Sequence, residues 1–202
     1  MGSMLVPAPD GVHWSAERLT PETVPLAASL CDRCVGENLY PRTYLLDICG
    51  RPEHYFFLIR SPEGTAEGYF YFHLTDRDGM AEFLRWPRAG TAGLCGPETV
   101  VANLRSVGLT DARRGTNLSA EMMGYFLQML RTELHAGLAF CVCWKPNGTL
   151  PTGNILRAYR FRHLADIPRF WEDVPDLNCP VCGGPCRCDA AVYYIRLKED
   201  HP

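Results

Sequence analysis

The chain has 202 residues, 47% hydrophobic and 21% charged, with a formal net charge of -3. That is the composition of an ordinary globular domain, and the length suits one large domain better than two small ones. It excludes the basic field of a nucleic-acid binder and any apolar run near the roughly 20 residues that span a bilayer. The start lacks a charged stretch followed by an apolar one, so no export signal is expected. A cytoplasmic, reducing setting follows, in which disulfides do not persist. Met1-Gly2-Ser3 before Met4 resembles a tag remnant. Residues 1–10 are therefore expected to be a tail and 11–198 a single folded domain.

Val12 to Leu19 reads as a first strand. Thr20-Pro21-Glu22 reads as a helix start, with the helix continuing to Cys34 and Pro25 tolerated in its first turn. "HYFFLIR" (His54 to Arg60) and "GYFYFHL" (Gly68 to Leu74) are aromatic strands, and the Pro and Gly of "SPEGTAE" make them a hairpin. "MAEFLRW" suggests a short helix. Thr99 to Leu109 reads as a strand, followed by the polar loop "TDARRGTNLS". Met123, Phe126, Leu127, Leu130 and Leu134 then recur on one helical face, with Gly137 as the expected stop. Leu138 to Trp144 is a strand-length apolar run. "GNILRAYRF" suggests a short helix entering a strand, and Pro168 makes "HLADIPRFW" an edge strand. Ala191 to Leu197 is the last strand. The fold class is α+β in one domain, with helices flanking a central, mostly antiparallel sheet.

The joint "RRGTNLSAEMM" runs from a strand into a helix. Free N–H groups and the helix dipole make such a start an anion site. Gly115 lets backbone approach a ligand, Asn117 tolerates a left-handed conformation, and Arg113 or Arg114 can face a phosphate. An ordinary capped helix is the competing reading.

This succession resembles the GNAT superfamily of acyl-CoA-dependent N-acetyltransferases. The family's pyrophosphate loop, Arg/Gln-x-x-Gly-x-Gly/Ala, falls on Arg114, Gly115, Thr116, Asn117, Leu118 and Ser119. "SVGL" resembles the end of its fourth strand, "LAFCVCW" its fifth, and "ILRAYRF" its helix-to-strand joint. Asn117 and Ser119 replace two loop glycines. Leu156 stands where the family often has its general-acid Tyr, with Arg160 at a Gly position. Thr75 to Glu98 replaces a tight turn.

The resemblance implies acetyl-CoA as cosubstrate and a small-molecule or peptide amine as acceptor. The amine attacks the thioester directly. An oxyanion donor is implied near Val107 to Leu109, and Asn154 is implied as a CoA contact, although an N-cap serves equally. Tyr159 lies three residues from Leu156, on roughly the same helical face. It is the implied proton donor or else a core aromatic. Asp111 reads as a turn residue, and Cys141 and Cys143 as small buried apolar residues. Two other functions stay open. One is a non-catalytic CoA-binding module. The other is a zinc-knuckle interaction protein.

"CPVCGGPCRC" (179 to 188) packs four of the chain's ten cysteines into ten residues. Cys-x-x-Cys-Gly is a zinc-knuckle pattern, and four thiolates would complete a closed, structural tetrahedral site. Cys179, Cys182, Cys186 and Cys188 are the favoured ligands, because closing a short loop costs little entropy. Cys31 and Cys34 with either local pair are the alternatives. The resemblance puts both regions beside the acceptor cleft.

Overall fold

The computed structural model describes residues 5–7 and 13–198. Strand β1 (Leu5–Pro7) pairs with β2 (Ser15–Arg18), which is shorter than the expected Val12 to Leu19. The rest of residues 1–10, assigned above to a tail, lies outside the described residues, as does Val12.

Helix α1 spans Val24–Val35 and begins later than Thr20. The Thr20 carbonyl accepts the N–H groups of Thr23 and Val24 at 3.0 and 3.1 Å, so this segment is a turn. Pro25 stays in the first helical turn, where its missing N–H costs nothing. A second helix, α2 (Arg42–Ile48), was not visible in the periodicity. Pro41 opens it, and it is anchored by buried Leu45 and Ile48.

The aromatic hairpin forms as expected, as β3 (His54–Arg60) and β4 (Ala66–Thr75). The insertion contains α3 (Arg77–Leu84), capped by the Asp76 side chain, which accepts from the Gly79 N–H at 2.7 Å. Next come β5 (Val101–Leu109), α4 (Leu118–Thr132) and β6 (Leu138–Lys145). Helix α4 ends before Gly137. The left-handed position after it is His135, at φ 52°. Last come α5 (Gly153–Ala158), β7 (Arg162–Ile167) and β8 (Asp189–Arg196).

The eight strands form one sheet in the order β1-β2-β3-β4-β5-β6-β8-β7. Pro168 follows the edge strand β7, where no ladder donor is lost. Helix α4 covers one face. Its Phe126 stacks on Phe70 at 4.3 Å between centroids and lies 5.0 Å from Phe57. Full burial of a ring of this kind contributes about 2–3 kcal/mol. Helices α1 and α2 cover the other face over Phe56, Leu58, Tyr69 and Tyr71. Beside them α3 packs Met80 and Leu84 on Val101, Leu138 and Phe140.

Two irregularities shape the site. First, Tyr71 pairs with Ser106 but Phe72 pairs with Leu104, so Arg105 is an extra residue in β5, a β-bulge. Second, β5 and β6 are the parallel neighbours, and they pair only from Val101–Leu138 to Leu104–Cys141. Strand β6 then stays with β8 as far as Lys145, while β5 stays with β4. The two strands separate at the bulge and leave a V-shaped gap.

Candidate active site

The gap opens into a cleft of about 630 Å³. One wall is β5 from Leu104 to Leu109, and the other is β6 from Cys141 to Trp144. Beyond Leu104 the β6-facing edge of β5 has no strand partner, so alternate backbone N–H groups of that edge face the gap. Val107 and Leu109, implied above as the oxyanion region, lie on this wall.

At one end the cleft meets the loop before α4. Arg114 and Ser119 line it. Gly115, Thr116 and Asn117 are exposed on the loop, and Leu118 is buried beneath it. The left-handed position is Gly115, at φ 76°. Asn117 is right-handed, at φ -73°, so its tolerance of positive φ is not used. The Thr116 hydroxyl accepts the Leu118 N–H at 3.3 Å and caps the helix start. The loop is held to the sheet by Arg113, whose guanidinium pairs with Glu67 of β4 at 2.8 Å. Arg114 pairs with exposed Asp111 at 3.0 Å and also meets the Cys34 thiol.

Leu156 of α5 is buried and faces the cleft, at the position where a general-acid Tyr would stand. Tyr159 does not line the cleft. Its hydroxyl donates to the Ala120 carbonyl at 2.6 Å, and its ring rests on Gly124. Asn154 is exposed, and its side-chain oxygen accepts from Arg157. Cys141 and Cys143 are buried in the cleft wall with sulfurs 3.4 Å apart, as small-residue packing requires. Sequence reasoning missed Thr152, whose buried hydroxyl stands beside the Cys143 thiol and which lines the cleft. It also missed Arg105, Tyr40 and Trp171, which line the cleft from the face covered by α1 to α3. A bulge is not encoded in strand periodicity, so nothing in the sequence marked Arg105.

The cysteine loop folds as a knuckle. The Cys179 N–H donates to the Gly184 carbonyl at 2.8 Å, and the Gly183 N–H donates back to the Cys179 carbonyl at 2.9 Å. Gly183 takes φ 67°, which the turn requires. The sulfurs of Cys179, Cys182, Cys186 and Cys188 all lie within 4.8 Å of one another. Those of Cys182 and Cys188 are 3.6 Å apart. Four thiolates at 2.3 Å from one zinc ion would stand about 3.8 Å from each other, so the arrangement fits a tetrahedral thiolate site. The Arg187 N–H points at the Cys182 sulfur at 3.4 Å and draws that thiol's pKa down.

Cys31 and Cys34 are not part of this group. Cys31 of α1 is buried in the core, where burial pushes its thiol's pKa far up. The Cys34 thiol donates to the Leu109 carbonyl at 3.4 Å, against β5. The knuckle does reach the segment just after α1, through one backbone and one side-chain hydrogen bond. Asn178 N–H donates to the Glu37 carbonyl at 3.1 Å, and the Asn178 amide donates to the Glu37 carboxylate at 2.9 Å. Pro180 and Val181 line the cleft beside Arg33 and Val35.

No family profile matches the sequence, and no curated protein is similar to it in sequence. Among solved structures the whole architecture recurs. Arabidopsis thaliana NAA60 in complex with acetyl-CoA superposes with a TM-score of 0.67 at 8% identity, covering 91% of this chain and 98% of that one. The chain has the GNAT fold. A spermidine/spermine N-acetyltransferase, SpeG, from Vibrio cholerae matches at a TM-score of 0.61 and 8% identity, over 92% of this chain and 94% of its own. A putative phosphinothricin N-acetyltransferase matches at 0.60 and 12%, over 92% and 99%. In this GNAT fold the V-shaped gap separates the fourth and fifth of the seven strands β2 to β8 in chain order, which are β5 and β6 here. No helix among the described residues is long and apolar enough to cross a membrane.

Proposed function

We propose that the chain transfers an acetyl group from acetyl-CoA to an amine. The observation that carries this reading is the cleft at the β5–β6 gap, lined both by Arg114 and Ser119 at the start of α4 and by Pro180 and Val181 of the knuckle. A long cosubstrate and an acceptor can therefore meet at one point, and alignment of two reactants supplies much of such a rate. Arg114 and the exposed N–H groups around Gly115 would take the pyrophosphate. The amine nitrogen would attack the thioester carbon, and the oxyanion would be held by an N–H of β5 between Val107 and Leu109. The C–N bond forms, the C–S bond breaks, the former amine proton passes to solvent or a base, and CoA leaves as a thiolate.

Leu156 cannot protonate that thiolate, and Tyr159 is directed at Ala120. The Thr152 hydroxyl lies in the cleft beside the Cys143 thiol and is the group here suited to hydrogen-bond the departing sulfur. Structural zinc held by Cys179, Cys182, Cys186 and Cys188 would brace the acceptor side. The closed thiolate set leaves no coordination position for water, so the ion would do no chemistry. Cytoplasmic placement, where thiols stay reduced, suits such a site.

Calorimetry and thermal melting with acetyl-CoA test this. A ligand at 100 times its dissociation constant adds about 2.7 kcal/mol of stability. Neither heat nor a shift at saturation would remove the acetyl-CoA site altogether. Binding without acetylation of any amine in a broad panel would favour the second reading, a CoA-binding module, which Leu156 in the cleft wall supports.

A further inference from the structure

A second cavity of about 560 Å³ lies on the sheet face covered by α1 to α3. It shares Tyr40, Arg105 and Trp171 with the cleft, so it joins the cleft at the bulge. Its polar wall is a row across two strands: His73 of β4 stands opposite Asn103 of β5, and Arg105 follows two residues on.

Two of these groups lack hydrogen-bond partners, and the third, Arg105, meets the Tyr40 phenol but no carboxylate among the described residues. Asn103 is 1% exposed, yet neither its side-chain oxygen nor its nitrogen has a hydrogen-bond partner. Buried His73 Nδ1 has none either. The Arg105 guanidinium has no carboxylate within ion-pair distance among the described residues. It stands 4.5 Å from the Phe83 ring and 6.0 Å from the Tyr71 ring, beside the Tyr40 phenol. Aromatic faces steady a cation but do not neutralise it. A buried amide without partners and a buried guanidinium without a counter-charge are costly, and a ligand that supplies carboxylate oxygens lowers the cost. Two other charged side chains line the cavity. Arg85 is already paired with Asp173 at 3.0 Å, and Glu82 is exposed on α3. Its inner wall therefore offers a cation and neutral polar groups.

We infer that this cavity seats the acceptor, and that the acceptor is a small amine carrying a carboxylate, which Arg105 and Asn103 bind. The inference rests on the acetyltransferase reading for the transfer itself but not for the carboxylate site. An acid group at Arg105 would lie beside the gap, with the amine of the same molecule turned toward the thioester. A polyamine would instead bring ammonium groups against Arg105.

Two measurements separate the claims. The first needs no acetyl-CoA: N-acetyl amino acids, the products of the inferred class, and their uncharged amides are titrated calorimetrically into wild type, Arg105→Met and Arg105→Lys. At least one acid should bind wild type at least tenfold more tightly than its amide. Charge-assisted hydrogen bonds of this kind carry roughly a factor of 10 to 100. Arg105→Met should erase that ratio and Arg105→Lys keep part of it. If no acid binds wild type, or Arg105→Met keeps the preference, the carboxylate site is wrong.

The second follows CoA release from acetyl-CoA with amino acids, amino-acid amides and spermidine. Turnover of amino acids above the other two classes supports the inference. Turnover favouring spermidine or the amides overturns it. If acetyl-CoA itself fails to bind, the acetyltransferase reading falls, while the titration still decides the anion site.

Discussion

Tyr159 and Ala120 are joined by a 2.6 Å hydrogen bond from phenol to carbonyl, which ties α5 to the first turn of α4. The same phenol fills the space over Gly124, where a Cβ would come within 2.5 Å of the Tyr159 oxygen but 3.3 Å from the nearest ring carbon. Tyr159→Phe should therefore cost about 1 kcal/mol of stability and leave turnover nearly unchanged. Gly124→Ala, which gains about 1 kcal/mol in an ordinary helix, should destabilise here. The double variant should be more stable than the two single effects predict, because removing the hydroxyl relieves the clash. Melting curves of the four proteins test the coupling. A large fall in kcat with stability intact would restore Tyr159 as a proton donor.

The anion loop departs from its sequence reading at Asn117 alone. Gly115 holds φ 76°, so Gly115→Ala should strain the loop by about 1–2 kcal/mol and weaken acetyl-CoA binding. Asn117 has a right-handed backbone, so Asn117→Val should carry no left-handed strain. Arg114 has an exposed ion pair and a contact with the Cys34 thiol to lose, and Arg114→Ala should weaken acetyl-CoA binding by about 1–3 kcal/mol. Calorimetric affinities of the three variants rank these effects. Wild-type affinity in both Gly115→Ala and Arg114→Ala would put the pyrophosphate elsewhere.

The hairpin β3–β4 is legible in the sequence because aromatic and β-branched residues fill two strands around a Pro-Gly turn. Helix α4 is legible because Met123, Phe126, Leu127 and Leu130 repeat at helical spacing. Its end is not, because His135 rather than Gly137 takes the left-handed position. Helix α2 is too short for its two buried residues to show a period. The knuckle is legible because its four cysteines lie within ten residues. The acceptor side is not, because His73, Asn103 and Arg105 meet only through strand register and one extra residue in β5.

His73 predicts a pH dependence. Burial is the largest of the causes that lower its pKa, to about 4, with Arg105 and His54 acting in the same direction and Glu53 weakly opposing. Unfolded, the ring titrates near 6.5. Between these values the unfolded chain binds a proton that the folded chain refuses, so stability falls as pH drops from about 6.5 to 4. Allowing for the open cavity beside the ring, the loss should approach about 2 kcal/mol. His73→Gln should flatten this segment of the stability profile in urea titrations. An unchanged slope would place the dependence on other groups.

The knuckle predicts about one zinc ion per chain in protein purified under reducing conditions without added metal. Cys182→Ser should lose it, because a serine hydroxyl stays protonated and is a poor ligand. Cys31→Ser and Cys34→Ser should keep it, since those thiols face the core and Leu109. Without metal the loop has little to hold it. Val181 is its only large aliphatic side chain between Cys179 and Ala190, and it is 43% exposed. What the loop then loses is its seat on α1. Gly36 takes φ 130°, and a Cβ there would stand 3.0 Å from the Asn178 carbonyl oxygen. Gly36→Ala should accordingly loosen the same seat with the zinc still bound. Both changes act on the Pro180–Val181 wall of the cleft, a different element from the Gly115 loop. Acceptor KM should therefore rise more than the acetyl-CoA dissociation constant in each variant. Elemental analysis that finds no metal in fresh, reduced protein would remove the zinc, and equal losses of both affinities would remove its role as a brace.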